Sequence, residues 1–356
     1  MKTLIKYLIS IGYSELCSSL FPGTPRLDKW KKIEPIISDD NLKNFYLLLL
    51  VNKSVNIKKF NQFQMNLLQP LIESRILSLN GCKIKSVGYS LFMVLGNWLI
   101  FETPNINPKI YYGDDSFALL TRLRPIKNGT TLDLCAGPGI QSIYCSPHVK
   151  NVTSVEINPL SAAIAEINRE INALPNWDIK VGDLYGALEH DEKYDHIICN
   201  PPLLPFPDDL PYPFVGHGGN DGWAVTWRVL DGMPKHLKKG GHAQIIGTTL
   251  SDGIEVIIMT KLINWAKENR MDCILTLMSQ NIMAPGEEYF EGLALSSSFI
   301  SGNTVNETQS KMEDFLRINK AISLVSTSLL ITHGKGDVKV IDLLDVNRPY
   351  NGLWYL

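Results

Sequence analysis

LDLCAGPGI, residues 132–140, is the stretch on which the fold is decided. Asp133 closes a short apolar run, and the small residues Cys135, Ala136, Gly137 and Gly139 follow around Pro138. Residues 139–144 are compatible with a helix. A strand that ends in a small-residue turn and opens a helix lets the backbone approach a ligand closely. It also aims the first free N–H groups of the helix at that ligand. Alone, the turn predicts a nucleotide-type cofactor, either a dinucleotide or a methyl donor.

Outward from this turn, from about residue 109, strand-like and helix-like segments alternate, the pattern of a parallel sheet covered on both faces. Strands are expected at Thr131–Leu134, Val152–Glu156, Ile179–Val181, His196–Cys199, His242–Ile246 and Cys273–Met278. Helices are expected from Pro159 to Ala173, from Asp221 through Leu237, and from Asp252 through Asn269. Residues 284–320 form a polar excursion with helical stretches. Ile322–Thr332 and Val338–Leu343 then close the sheet around a turn at Gly334 and Gly336.

Three strand ends separate the two cofactor classes. The second strand ends in Glu156, about twenty residues past the turn, where an acid can accept from both ribose hydroxyls. The third ends in Gly182-Asp183-Leu184, an acid for an adenine amino group and a leucine to cover the ring. The fourth ends in Asn200-Pro201-Pro202, which dinucleotide folds do not require.

LDLCAGPGI, SVEINP, VGDLYG and CNPPL, in this order and spacing, resemble the class I S-adenosylmethionine-dependent methyltransferases. The branch most like it has a small methyltransferase domain with an Asn-Pro-Pro-aromatic motif, as in release-factor glutamine methyltransferase and several adenine and guanine N-methyltransferases. YYGDDS (111–116) and GGNDG (218–222) add to the likeness. The resemblance covers residues 105–250 well. It implies a Rossmann-like, seven-stranded α/β sheet and S-adenosylmethionine as cofactor. It further implies that Asp133, Ala136, Gly137 and Gly139 cradle the donor's methionine part, that Glu156 holds its ribose, and that Asp183 and Leu184 hold its adenine.

Asn200, Pro201 and Pro202 are the expected catalytic residues, with Asn200 also touching the donor. Amide, guanidine and nucleobase nitrogens are weak nucleophiles because their lone pair is delocalised. An Asn carbonyl and a backbone carbonyl of the proline pair can each accept one N–H and aim that lone pair at the methyl group. These acceptors bind more strongly as the nitrogen becomes positive. No metal is required. Where the family usually carries Tyr or Phe, this chain has Leu203, which gives an apolar lid without aromatic stacking. A nucleobase acceptor therefore loses weight, and an amide, guanidine or amine gains it. The loop 201–222 holds six of the chain's 20 prolines and reads as a stiff substrate wall. Tyr112, Asp115, Leu203, Phe206 and His217 are the expected acceptor-binding residues, with Phe206 or Tyr212 as the source of a ring.

The front third, residues 1–105, carries 13 Lys and Arg against 7 Asp and Glu, whereas the whole chain has a net charge of −2. It reads as helices (one starting at Asp40-Asn41, one from Asn61 to a break near Pro70) followed by hairpins at Asn80-Gly81 and Gly96-Asn97. This pattern predicts a smaller winged-helix-like α+β domain. A proline-containing linker, 103–108, leads to the methyltransferase domain, 106–356. The 45% apolar and 20% charged residues describe an ordinary globular chain with no membrane span and no expected signal peptide. Six scattered cysteines without metal-ligand spacing fit a cytoplasmic protein.

The leading expectation is an N-methyltransferase for a small molecule or a protein or peptide side chain. A nucleic-acid N-methyltransferase that uses the front module for recognition is the second. A regulator that binds the donor without turnover is the third. Oligomeric state is left open.

Overall fold

Helices form in the front segment where apolar residues bury one face, and two of them are closed by side-chain caps. The computed structural model describes residues 1–344; the last residues of the expected second domain, 345–356, lie outside the described residues. The helices α1 (Lys2–Ser10), α2 (Tyr13–Ser18) and α3 (Leu27–Trp30) bury Leu4, Leu8, Tyr13, Cys17 and Trp30. Next comes α4 (Asp40–Phe45), capped by Asp39, whose carboxylate accepts from the Leu42 N–H, one residue before the expected start. The chain continues as a wider helical turn over 46–50. After β1 (Val55–Asn56), α5 (Gln62–Glu73) opens with a reciprocal cap between Asn61 and Gln64. It runs on through Pro70, where a break was expected. The lost bond falls late in the helix, and the N–H and hydroxyl of Ser74 both close the last turn on the Pro70 carbonyl.

Two hairpins follow, each with its turn one residue from the expected position. In β2 (Leu77–Asn80) and β3 (Lys83–Ser86) the loop is Gly81-Cys82. In β4 (Tyr89–Val94) and β5 (Asn97–Glu102) the loop is Leu95-Gly96, both at positive φ (48° and 80°), the backbone of a type I′ turn. A one-residue slip would turn every buried side chain to the other face, so the core faces, not the Asn residues, set the register. The first three strands pair in the order β1-β3-β2.

The remaining elements are α6 (Asp114–Leu120), β6 (Thr130–Leu134), α7 (Ile140–Cys145), β7 (Asn151–Glu156), α8 (Pro159–Asn172), β8 (Trp177–Val181), β9 (Tyr194–Cys199), α9 (Ala224–His236), β10 (Leu237–Ser251), α10 (Met259–Asn269), β11 (Met271–Ile282), α11 (Glu288–Ser301), α12 (Val305–Ile318), β12 (Ser323–His333) and β13 (Val338–Asp342). The large sheet has the order β13-β11-β12-β10-β9-β6-β7-β8. Its expected seven strands are present, mostly parallel, with β12 antiparallel between β10 and β11. The eighth strand, expected at Val338–Leu343, lies at the edge of the sheet. Val338–Asp342 does not form a hairpin with β12 but pairs parallel with the far side of β11. Asp272 is the cause: one of its carboxylate oxygens accepts the N–H groups of Lys335, Gly336 and Asp337, which carries the chain across the end of β11. No helix among the described residues is long and apolar enough to cross a membrane.

The expected linker does not leave the front segment free. Asn168 and Asn172, one turn apart on α8, pair with the edge of β5 as a neighbouring strand would. Asn168 accepts from the Ile100 N–H (2.7 Å) and donates to the Ile100 carbonyl (2.9 Å). Asn172 does the same at Trp98 (2.9 and 2.7 Å). One core runs from Leu8, Phe45 and Leu68 into Ile164, Ala165 and Ile171 of α8. At the other end, α11 and α12 pack Phe290 and Leu316 on Phe206 and Leu210 of the proline-rich loop.

Candidate functional site

Strands β6, β7, β8 and β9 run parallel, so the segments after Leu134, Glu156, Val181 and Cys199 meet at one edge of the sheet. That edge lies where the strand order reverses, the usual ligand position in such sheets. The turn after β6 needs left-handed backbone at Cys135 (φ 57°), Gly137 (φ 58°) and Gly139 (φ 90°). Gly139 answers a packing demand, because a β-carbon there would overlap the Trp177 ring. At Gly137 a β-carbon would instead stand 3.6 Å from the Tyr111 carbonyl oxygen, filling space between the turn and the segment above it.

A cavity at this edge is lined by Ala136, Gly137, Glu156, Asp183, Leu184, Asn200, Pro201 and Pro202 among others. The Glu156 carboxylate accepts from the N–H groups of Gly137 and Asn158, both at 2.8 Å, which ties the first turn to the second strand end. Burial raises its pKa against those bonds. Each oxygen keeps a lone pair for a further donor. Asp183 forms an ion pair with Arg228 (2.7 Å) at the rim. Leu184 is held at φ 48°, a strained conformation for leucine that turns it into the cavity.

Asp133 and Gly139 do not reach this cavity. Asp133 is 1% exposed and lies beneath the turn, where it accepts the Ser142 hydroxyl (2.7 Å) and fixes α7. Burial pushes its carboxyl up to about 7. Both residues therefore build the turn from below.

Asn200 sits at the inner end of the cavity. Its Nδ2 donates to the Asp115 carboxylate (3.0 Å) and to the Ser116 hydroxyl (3.2 Å). A carboxylate only accepts, so the amide nitrogen must face Asp115 and the carbonyl oxygen must face away from it. That oxygen, Oδ1, is buried without a hydrogen-bond partner. Such an orphan acceptor is costly unless a ligand donates to it. Asp115 was an expected acceptor contact; the structure makes it the anchor of Asn200. Burial raises its pKa, opposed by Tyr111, by Asn200 and by backbone N–H groups.

The other expected acceptor contacts divide. His217 lines the cavity, and its Nδ1 accepts from the Gly219 N–H (3.2 Å). Leu203 lies on the far side, in an adjoining cavity. Thr248 holds the Leu203 carbonyl, and Gly218 and Gly222 pack so closely on the Leu203 backbone that β-carbons there would overlap it. Phe206 is 1% exposed and buried in the core under α11, so it offers no ring to the site. Tyr112 points away, with its hydroxyl on the Pro22 carbonyl and its ring against Phe101. Its neighbour Tyr111 lines both cavities instead. Ser116, Gln141 and Arg228 also line the first cavity and were not foreseen.

The methyltransferase small domain model matches residues 112–268. A protein from Methanocaldococcus jannaschii, provisionally named a protein N5-glutamine methyltransferase, is 32% identical over 169 residues, covering 46% of this chain and 84% of that relative. Release factor glutamine methyltransferase from Fusobacterium nucleatum is 32% identical over 84 residues, covering 23% of this chain and 24% of its own length. A tRNA1(Val) (adenine(37)-N6)-methyltransferase from Shewanella baltica is 30% identical over 109 residues, covering 29% of this chain and 46% of its own.

Proposed function

This chain belongs to the methyltransferase small-domain family of S-adenosylmethionine-dependent enzymes, and from that premise we propose that it methylates the side-chain nitrogen of a protein acceptor, a primary amide such as glutamine's. The observation that carries this is the orphan oxygen of Asn200, fixed by the bond from its own Nδ2 to Asp115.

The strand ends fit the donor. Gly137 leaves open backbone where a side chain would intrude, and Glu156 keeps lone pairs for ribose hydroxyls. Asp183 offers an acceptor and Leu184 an apolar face to an adenine bound in the same cavity. S-adenosylmethionine supplies an electrophilic methyl group on a sulfonium. What remains for the protein is to hold a weakly nucleophilic nitrogen in line with it. Asn200 Oδ1 accepts one N–H of the acceptor and the Pro201 carbonyl the other, which aims the nitrogen lone pair at the methyl group. As the N–C bond forms and the S–C bond breaks, the nitrogen turns positive and both contacts strengthen, which favours the transition state over the bound acceptor; the thioether leaves and one N–H proton passes to solvent. Asp133 and Gly139 act below this level, by shaping the turn.

The glutamine-directed activities in the names of two relatives support an amide acceptor. Leu203 supports it too, since no aromatic ring follows the prolines to stack on a nucleobase. The front module reads as a winged-helix-like arm that positions the acceptor, from its β1-β3-β2 order after helical segments. Six unpaired cysteines accord with a reducing, cytoplasmic setting.

The test is incubation with methyl-labelled donor, glutamine-containing translation factors, and short RNA as the rival acceptor. Label recovered in N-methylglutamine after proteolysis is the expected result. Label in RNA alone, or in nothing, overturns the proposal.

A further inference from the structure

Beside the donor cavity lies a second one of about 530 Å³, within the range of specific ligand pockets. The two share Tyr111 and Asp115. Three tyrosines from three separate segments line it: Tyr111 before α6, Tyr212 from the proline-rich loop, and Tyr289 from α11. Tyr289 lies outside the stretch matched by the family model. The Tyr212 ring is fixed against Phe206, 4.7 Å away between centroids. Among the described residues, no Lys, Arg or His lines this cavity. Among the described residues its one charged group is Asp115, 6% exposed, whose Oδ1 has no hydrogen-bond partner there. Asp115 therefore stands where the cavities meet, with the orphan Asn200 Oδ1 on the first-cavity side.

We propose that this second cavity is a subsite for a cationic side chain, arginine or lysine, carried by the acceptor polypeptide next to its methylated residue. This rests on the protein-acceptor reading above. A cation meets tyrosine faces that attract it and a buried carboxylate oxygen that lacks a donor. An anionic group, a phosphate included, would meet that carboxylate with no basic residue to offset it. An apolar side chain would leave the buried Asp115 Oδ1 without a donor. The tyrosine hydroxyls stay neutral, since burial pushes Tyr212 up to about 12 and Tyr289 higher still, so the cation faces rings and one carboxylate rather than phenolates.

The test uses the full chain saturated with S-adenosylhomocysteine, titrated with N-acetyl-arginine amide, N-acetyl-leucine amide or N-acetyl-glutamate amide and followed by NMR. The arginine probe is expected to bind about tenfold more tightly than the other two, in line with a desolvated cation–π and ion contact. Tyr289→Ala removes that preference, and Tyr289→Phe, which keeps the ring, preserves it. Donor affinity in each variant reports whether the fold is intact. Equal binding of the probes, tighter binding of the leucine or glutamate probe, or an arginine preference that survives Tyr289→Ala overturns the subsite. Tighter binding of a short RNA at this site overturns it as well. No turnover is needed here, so a protein that binds the arginine probe yet methylates no glutamine keeps the subsite and loses the amide reading.

Discussion

Asp115 and Asn200, 85 positions apart, are joined by a 3.0 Å hydrogen bond that leaves the Asn200 carbonyl oxygen without a partner. Asp115 thereby acts on the methylated nitrogen through Asn200 rather than by touching it. Asp115→Ala leaves Nδ2 held only by Ser116 and free to turn. Turnover should fall about 10- to 100-fold, while the donor dissociation constant, measured by calorimetry, changes by less than about threefold.

The same bond gives turnover a pH limb. Burial raises the Asp115 carboxyl, with Tyr111, Asp114 and Tyr289 as the titratable groups around it. As pH falls, Asp115 takes up a proton and presents a donor to Asn200 in place of an acceptor. The acid limb of kcat should therefore lie above the ordinary carboxylate range and be absent from Asp115→Ala. A pH–rate profile of the two proteins decides it.

Asn168 ties the front module to the donor turn, because it bonds the Ile100 backbone and also donates to the Pro138 carbonyl (2.9 Å). Asn168→Ala should cost about 2–4 kcal/mol, since it leaves buried backbone groups unpaired at two places. Asn172→Ala, at a half-buried position, should cost about 1 kcal/mol. Denaturant unfolding of the full chain measures both. Donor affinity should weaken in Asn168→Ala alone.

Asp133 makes stability depend on pH in the direction opposite to a salt-bridged acid. Its folded pKa, about 7, exceeds the unfolded value, so the folded state binds more protons between roughly pH 4 and 7. The neutral form stabilises the fold, and this contribution is lost as pH rises through that window. Asp133→Asn still accepts the Ser142 hydroxyl and carries no charge. Its melting temperature relative to wild type should rise from pH 5 to about pH 7 and then level off by pH 8. A constant difference across that range would rule this out.

What was legible from the chain follows from how local each signal is. The donor edge was readable because Ala136, Gly137, Glu156, Asp183, Leu184 and Asn200 each sit within a few residues of a strand end, and parallel strands bring those ends together. Tyr112 and Tyr111 were confused because neighbouring side chains point in different directions, and nothing local says which of them faces a cavity. Phe206 looked like a free ring until α11, some 80 positions on, covered it. Asp133 read as a ligand contact because it adjoins the turn, yet its carboxylate is spent on Ser142. The two helix asparagines and the crossing of β13 over β11 depend on partners far along the chain, and no local pattern announces them.

Everything proposed for catalysis converges on one oxygen atom, so Asn200→Ala tests it most directly, with methyl transfer to a glutamine acceptor and donor binding measured on the same preparation. Transfer should fall by about 100- to 1,000-fold, the scale of losing one transition-state hydrogen bond, while the donor dissociation constant stays within about threefold of wild type. Transfer that survives the substitution, or donor binding that collapses with it, contradicts the role assigned to Asn200.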